Sequence, residues 1–230
     1  MIKPLLRGRD IAKYEVNFAN LYIINSHNNP PVDINKYPAI KEHLDKHYEK
    51  LSDKGVTPYN LRNCAYLDEF EKEAISWQRV TKEPTFCLSK YYLYLDSMAF
   101  LTSKNENLKP LIAFLNSKTI YFYIDITTHQ YSNTGYLLSN QFILNIPIIK
   151  LANDKKTELA NLVDEFLDIK SKIKLYQKHL PTLNTAEKIE INEQILTLKT
   201  EFKNKLNLTD ELIYKFYGLS SEEINYIKSK

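Results

Sequence analysis

The sequence predicts a mixed α/β fold: interleaved strands and helices with a long helix over residues 1–150, then an all-α helical hairpin over residues 151–230. Three observations predict it. Before residue 150, short apolar runs rich in β-branched and aromatic residues alternate with polar turns, as strands do. After it, Leu159, Leu162, Phe166, Ile169, Ile173, Tyr176 and Leu180 recur at alternating steps of three and four, which is a heptad seam. Charge divides at the same place: residues 1–150 carry a net +3 and residues 151–230 a net zero.

The strands are read from "NLYIINS", "AISWQRV", "TFCLS", "YYLYLDSMAFLT" and "QFILNIPIIK". Alternation puts Trp77 and Arg79 on one face of their strand and Gln78 on the other, and Trp77 is assigned to the core. "YPAIKEHLDKHYEKLSDKG" reads as a helix. Pro38 suits its first turn, Ile40, Leu44, Tyr48 and Leu51 share a face, and Gly55 follows its end. "NENLKPLIAFLNSKTIYFYID" opens at helical spacing with Leu108, Leu111, Ile112 and Leu115. Its β-branched, aromatic second half fits strand or helix.

In the second region Pro181 ends the first long helix. Asn184 or Thr185 then caps a second, carrying Ile191, Ile195, Leu198 and Phe202, and a short turn between them makes an antiparallel pair. In "LTDELIYKFYG" Thr209 is read as a cap and Gly218 as a stop. Ser220 and Glu223 have capping-box spacing for a last short helix.

Composition narrows the function. No apolar run approaches the ~20 residues of a membrane span, and "MIKPLLRGRD" lacks the apolar core of a secretory signal. Cys64 and Cys87 cannot make a disulfide framework, so a reduced, cytoplasmic protein is expected. The four glycines, Gly8, Gly55, Gly135 and Gly218, stand far apart, and no phosphate-binding loop can be written with them. "HNNPPV" has Asn29-Pro30-Pro31 but Val32 where an amino-methyltransferase motif has an aromatic residue, so it reads as a stiff turn. His43 and His47 have the i,i+4 spacing of metal ligands, yet Leu44 stands where a zinc protease needs Glu. No catalytic centre and no metal site are assigned.

Binding features are richer. "LLRGRDIAKY" gathers Arg7, Arg9, Lys13 and Tyr14 around one glycine. It suits phosphates or guanine edges, or equally a turn salt-bridged by Asp10 and Glu15. "NLRNCAY" presents Arg62, and "SWQRVTK" presents Gln78, Arg79 and Lys82. The segment "ITTHQYSNTGYLLSNQ" sits between two apolar flanks and is dense in uncharged hydrogen-bonding groups. Such groups suit base edges; the plainer reading is a polar surface loop.

Several blocks in order, "IKPLLRGRDIAKY", "YPAIKEHL", "TPYNLRNCAYLDEFEKEAISW", "LIAFLNSKTIYFY" and "FILNIPIIK", together resemble one family. It is the C-terminal specificity domain of TaqI-like type IIG restriction–modification enzymes and related adenine-specific DNA methyltransferases. The "LNS" and "IPI" blocks are also similar to target-recognition domains of type I specificity subunits, and "LTDELIYKFYGLSSEEI" resembles the usual end of the fused enzymes. The resemblance runs from about residue 2 to about residue 225.

It implies a C-terminal fragment of a bacterial DNA adenine methyltransferase and restriction endonuclease. The fragment would read a short double-stranded DNA sequence in the major groove and position an adenine, with residues 151–230 as a helical spacer. Its partners would be DNA and the N-terminal methyltransferase/nuclease part of the same polypeptide or complex. S-adenosylmethionine and Mg belong to that parent, with no cofactor in the fragment. The resemblance carries over Arg7 and Arg9 as DNA-binding residues.

Chemistry supplies the remaining DNA-binding candidates. Arg79 and Gln78 suit bidentate reading of guanine and adenine. Lys13, Arg62 and Lys82 suit phosphate anchoring. Thr128, His129, Gln130, Ser132, Asn133 and Tyr136 would face the groove, with Gly135 allowing close approach or positive φ. Three alternatives stay open: a fragment with a residual nuclease centre, a protein-interaction module using the helical hairpin, and a specificity subunit of a multi-subunit methyltransferase.

Overall fold

Alternation in "EAISWQ" sets the centre of the fold. The structure, a computed structural model, describes residues 1–51, 55–128 and 135–230. Among them the strands are β1 (Ile2–Leu6), β2 (Ile11–Ala12), β3 (Glu15–Val16), β4 (Tyr22–Ile24), β5 (Glu73–Gln78), β6 (Val80–Thr81), β7 (Phe86–Lys90), β8 (Leu93–Tyr94), β9 (Met98–Thr102) and β10 (Tyr136–Leu137). The helices are α1 (Pro38–Asp45), α2 (Lys109–Leu115), α3 (Lys118–Thr127), α4 (Asn140–Leu144), α5 (Asn153–His179), α6 (Thr185–Tyr217) and α7 (Ser221–Lys228). The chain is therefore mixed α/β, with long helices at its C-terminal end. No described helix is long and apolar enough to cross a membrane.

β5 is the middle strand of an antiparallel sheet ordered β7-β5-β9. Ile75 pairs with Leu88 and Leu101, and Trp77 with Phe86 and Ala99. That face packs on α2, α3 and the long helices. Trp77 is 1% exposed, and its indole Nε1 donates to the Leu138 carbonyl at 2.9 Å. The other face carries Ser76, Cys87, Ser89 and Phe100. An aromatic group of Tyr66, Phe70, Tyr94 and Phe100 covers it, with ring centroids 5.0–6.4 Å apart. A second sheet, ordered β4-β1-β8, lies at the N-terminal end.

Leu159, Val163 and Phe166 of α5 and Ile213 of α6 share one core with Tyr14, Trp77, Phe86, Ile112 and Ile120. Beyond it α5 and α6 continue as an antiparallel pair. Glu165 meets Lys205 at 2.7 Å, Phe166 meets Phe202 edge-on, and Ile169 and Ile173 pack with Ile195. The seam residues Leu159, Phe166, Ile169 and Ile173 are buried. Asn184 caps α6 in a capping box with Glu187.

Several element readings change or are resolved, and the run "YYLYLDSMAFLT", read as one strand, divides into β8 and β9 around a turn at Asp96. The strand read over "QFILNIPIIK" is helix α4 followed by irregular chain. Ser139 Oγ accepts from the Phe142 amide at 3.1 Å and caps the turn, and Ile143 and Ile146 still reach the core. The helix read from residue 38 to 51 stops at Asp45, apart from one 3-10 turn at Tyr48–Lys50. None of the residues of α1 is buried, so little packing supports a longer helix. The ambiguous half after Leu115 is helical: Asn116 interrupts, and Ser117 caps α3 by accepting from the Ile120 amide. Thr209 is no cap. It lies inside α6, 2% exposed, with Oγ1 donating to the Lys205 carbonyl at 2.9 Å. Gly218 ends α6 at φ +65°, as read.

Candidate functional site

The site is built where β5 leaves the core. After Trp77 the strand has one residue more, and Arg79 emerges exposed between β5 and β6. Its backbone is held from both sides: the amide donates to Ser97 O at 2.9 Å, and its carbonyl accepts from the Leu138 amide at 2.7 Å. The guanidinium Nη1 donates to the Asp96 carbonyl at 3.3 Å. Arg79 lines an open groove of about 720 Å³ whose wall is β9, with Glu69, Asp96, Thr102 and Asn140 among its polar members.

One step further, β6 pairs antiparallel with β10, Val80 opposite Leu137 and Thr81 opposite Tyr136. This ladder brings exposed Lys82 beside Gly135. Gly135 has φ +114°, and a side chain there would strike the Thr81 carbonyl. Glycine answers both the conformation and the close approach. Tyr136 is buried. Its hydroxyl donates to Asp125 Oδ1 at 2.6 Å, and its ring meets Tyr121 edge-on. The Asp125 hydrogen bond raises the Tyr136 pKa above its ordinary value, so Tyr136 serves as a neutral donor.

Thr128 ends α3, its amide donating to the Ile124 carbonyl at 2.9 Å. Its Oγ1 is buried with no partner among the described residues. The Tyr136–Asp125 bond thus ties β10 to the last turns of α3. His129, Gln130, Ser132 and Asn133 lie outside the described residues.

The N-terminal block forms a 3-10 turn at Gly8–Asp10. Arg7 grips Asp10 with two bonds, Nε to Oδ2 at 2.9 Å and Nη2 to Oδ1 at 2.7 Å. Asp10 is 4% exposed, and the Arg7 guanidinium holds its carboxyl below the usual range. This is the salt-bridged turn weighed in the sequence, with Asp10 as its acid; Glu15 instead meets Lys170 at 3.0 Å. Arg9 stays exposed on the turn. Gly8 lies directly on the Gln78 side chain, so Gln78 is half-buried against this turn, on the strand face opposite Trp77.

Lys13 is half-buried, and its Nζ donates to the Asn116 carbonyl at 3.3 Å. Burial lowers its pKa, partly countered by Asp210 and Glu83. Arg62 is exposed on another segment. That segment is fastened to residues 26–32 through the Leu61 amide to Ser26 O and Asn60 Nδ2 to Val32 O. The structure therefore brings Arg79 and Lys82 together along the β6–β10 ladder. Tyr136, expected to face the groove, is instead a buried member of that ladder with its hydroxyl on Asp125. Thr128 lies at the end of α3, three residues beyond Asp125. Arg7 and Lys13 have hydrogen-bond partners inside the fold, Gln78 is half-buried against Gly8, and Arg62 sits with a different segment.

Cys87 is buried 3.3 Å from Ser76 Oγ, and burial pushes its thiol up to about 12, which leaves it a protonated core residue. His43 and His47 are exposed, ring centroids 5.4 Å apart. Among the described residues no three of His, Cys, Asp and Glu gather to hold a metal ion.

The polar groove residues Glu69, Asp96, Thr102 and Asn140 escaped the sequence reading. Asp96 lies in a turn within what read as one long strand run. Asn140 lies at the end of the segment read as a polar loop, just before the run read as strand, and only the cap at Ser139 reveals a helix start there. A serine followed by a short apolar run was the available signal. Neither a protein-family model nor a curated protein matches this sequence.

Proposed function

We propose that this chain is a sequence-reading module for double-stranded DNA, with the reading face in residues 1–150 and residues 151–230 serving as a helical hairpin spacer. The observation that supports it most is the β6–β10 ladder. It gathers Arg79, Lys82 and the point where the polar segment rejoins the fold, on a scaffold fixed from α3 and β5. Rigid placement matters because base reading is bidentate and geometric, whereas phosphate anchoring needs only exposed charge. Lys82 and Arg9 are exposed cations suited to phosphate.

The resemblance to TaqI-like specificity domains gives the setting: a restriction–modification enzyme in which the module presents DNA for adenine methylation. S-adenosylmethionine and Mg would then be held by the catalytic part, and no step of that chemistry is assigned to residues of this chain. A second reading, a protein-docking module, is favoured by the apolar groove between α3 and α7. Phe122, Tyr123, Pro147 and Tyr226 line it, and Ile126 is 62% exposed at its edge. Under the first reading that groove faces the catalytic part.

Titration of the chain with a mixed-sequence duplex at a series of salt concentrations tests the first reading. Binding whose log K falls linearly with log salt, by about 0.9 per phosphate contact, supports it. Absence of duplex binding at low salt contradicts it.

A further inference from the structure

We infer that Arg79 and Asp96 act as a pair that reads one G·C base pair through its major-groove edge; this rests on the DNA-reading function proposed above. The two residues line the same groove and are joined by the Arg79 Nη1 bond to the Asp96 carbonyl. Both side chains are exposed, and among the described residues neither has an ion-pair partner. The positions are fixed from the backbone: the Arg79 amide is on Ser97 O, and the Met98 amide donates to Leu95 O at 2.9 Å, closing the turn that carries Asp96.

The charge pattern selects the ligand group. Glu69 and Asp96 both line this groove, but Glu69 is paired with Lys72 and accepts from Thr102, which leaves Asp96 as the carboxylate without an ion-pair partner among the described residues. A phosphate would be repelled by that carboxylate beside Arg79, so the groove suits backbone tracking poorly. Base edges differ. Guanine offers two acceptors, N7 and O6, and its partner cytosine offers the N4 amino donor beside them. A guanidinium fork next to a carboxylate presents the complement: two donors, then an acceptor. The wall behind the pair is Met98, Ala99, Phe100 and Leu101, which adds no competing charge. A reversed pair, or A·T with its donor at the purine, would set Asp96 against an acceptor or Arg79 against an amino group.

The test is parallel selection from a random duplex pool with the wild-type chain, Arg79→Lys, Arg79→Ala and Asp96→Asn, folding being checked by circular dichroism. The pair predicts that the wild-type motif holds a G·C position. It predicts that Arg79→Ala and Asp96→Asn each relax that same position, by about five- to a hundredfold in discrimination. Arg79→Lys keeps the charge without the fork, and it is expected to keep overall retention while losing the preference. If Asp96→Asn raises retention of all duplexes alike and changes no position, Asp96 is only a repelling charge and the pair is overturned. Relaxation at two different positions overturns it as well. A wild-type chain that enriches nothing sinks the DNA-reading proposal itself, whereas an enriched motif untouched by these variants sinks only the pair.

Discussion

Asn116 grips both polar groups of Phe86: Nδ2 donates to the Phe86 carbonyl at 2.9 Å, and Oδ1 accepts from the Phe86 amide at 3.1 Å. Asn116 is 5% exposed and sits between α2 and α3, so one amide ties the central sheet to both helices. Ser117 next to it caps α3. The "LNS" block of the sequence thus has a mechanical reason. Asn116→Ala would strand the buried Phe86 amide, while the Phe86 carbonyl keeps the Tyr14 amide at 3.2 Å, and should cost about 1–3 kcal/mol. Urea unfolding of the variant measures this, and a loss under about 0.5 kcal/mol would mean the bonds add little.

Gly135→Ala is expected to destabilise by about 2 kcal/mol, since φ is +114° and the new methyl meets the Thr81 carbonyl. The damage should be local. Hydrogen exchange at the Thr81 and Leu138 amides should speed up, while Ile75 amide exchange slows or accelerates only with global stability. Unchanged exchange at Leu138 would show that the ladder does not depend on this glycine.

Two buried acids should respond to pH with opposite signs. Asp10 has its pKa lowered, chiefly by the Arg7 hydrogen bonds. Its stabilisation is therefore present above its ordinary value of 3.8 and is lost as pH falls through the lower folded value. Asp210 has its pKa raised by burial. Its contribution is complete below 3.8 and is lost as pH rises through the higher folded value. Asp210→Asn keeps an acceptor for the Lys118 amide, now bonded at 2.9 Å. Its urea midpoint should fall less than the wild type's on going up from about pH 4. Asp10→Asn should flatten the acid limb instead. Parallel pH profiles for all three proteins would contradict both assignments.

Lys82 and Lys13 separate phosphate anchoring from packing. Lys82 is exposed beside β10, and Lys82→Ala should weaken binding to every duplex alike and reduce the salt slope by about one. Lys13 donates to Asn116 O from a half-buried site. Lys13→Ala should therefore lower the urea midpoint and leave the salt slope as it was. A slope change for Lys13 with no loss of stability would return it to the phosphate contacts.

The legible parts of the fold are those written in a period. The step of three and four became the seam of α5, buried at Leu159, Phe166, Ile169 and Ile173, half-buried at Leu162 and Tyr176, and ending before Leu180. The alternation around Trp77 became the two faces of β5. Asn184 and Ser220 announced real caps. What stayed hidden has no period. "QFILNIPIIK" is short and apolar, and burial of Ile143 and Ile146 is satisfied by a turn of helix as well as by a strand. Thr209 carries the chemistry of a cap, but core contacts of Leu206 and Ile213 on either side carry α6 straight through it. The groove is tertiary altogether: Arg79, Asp96 and Asn140 meet through the Ser97 and Leu138 backbone bonds, which no local pattern encodes. Likewise the Gln78 amide has the chemistry to read adenine, while the close approach of Gly8 to its side chain is a tertiary contact that no local pattern encodes.

The central claim is that the region around Arg79 and the β6–β10 ladder reads duplex sequence. Selection from a random duplex pool by the wild-type chain at about 100 mM salt, with sequencing of the retained molecules, tests it most directly. The account predicts enrichment of one short motif that contains a G·C position and is erased in part by Arg79→Ala. Retention of duplexes without any enriched motif would contradict it, leaving only charge-driven contact with phosphates.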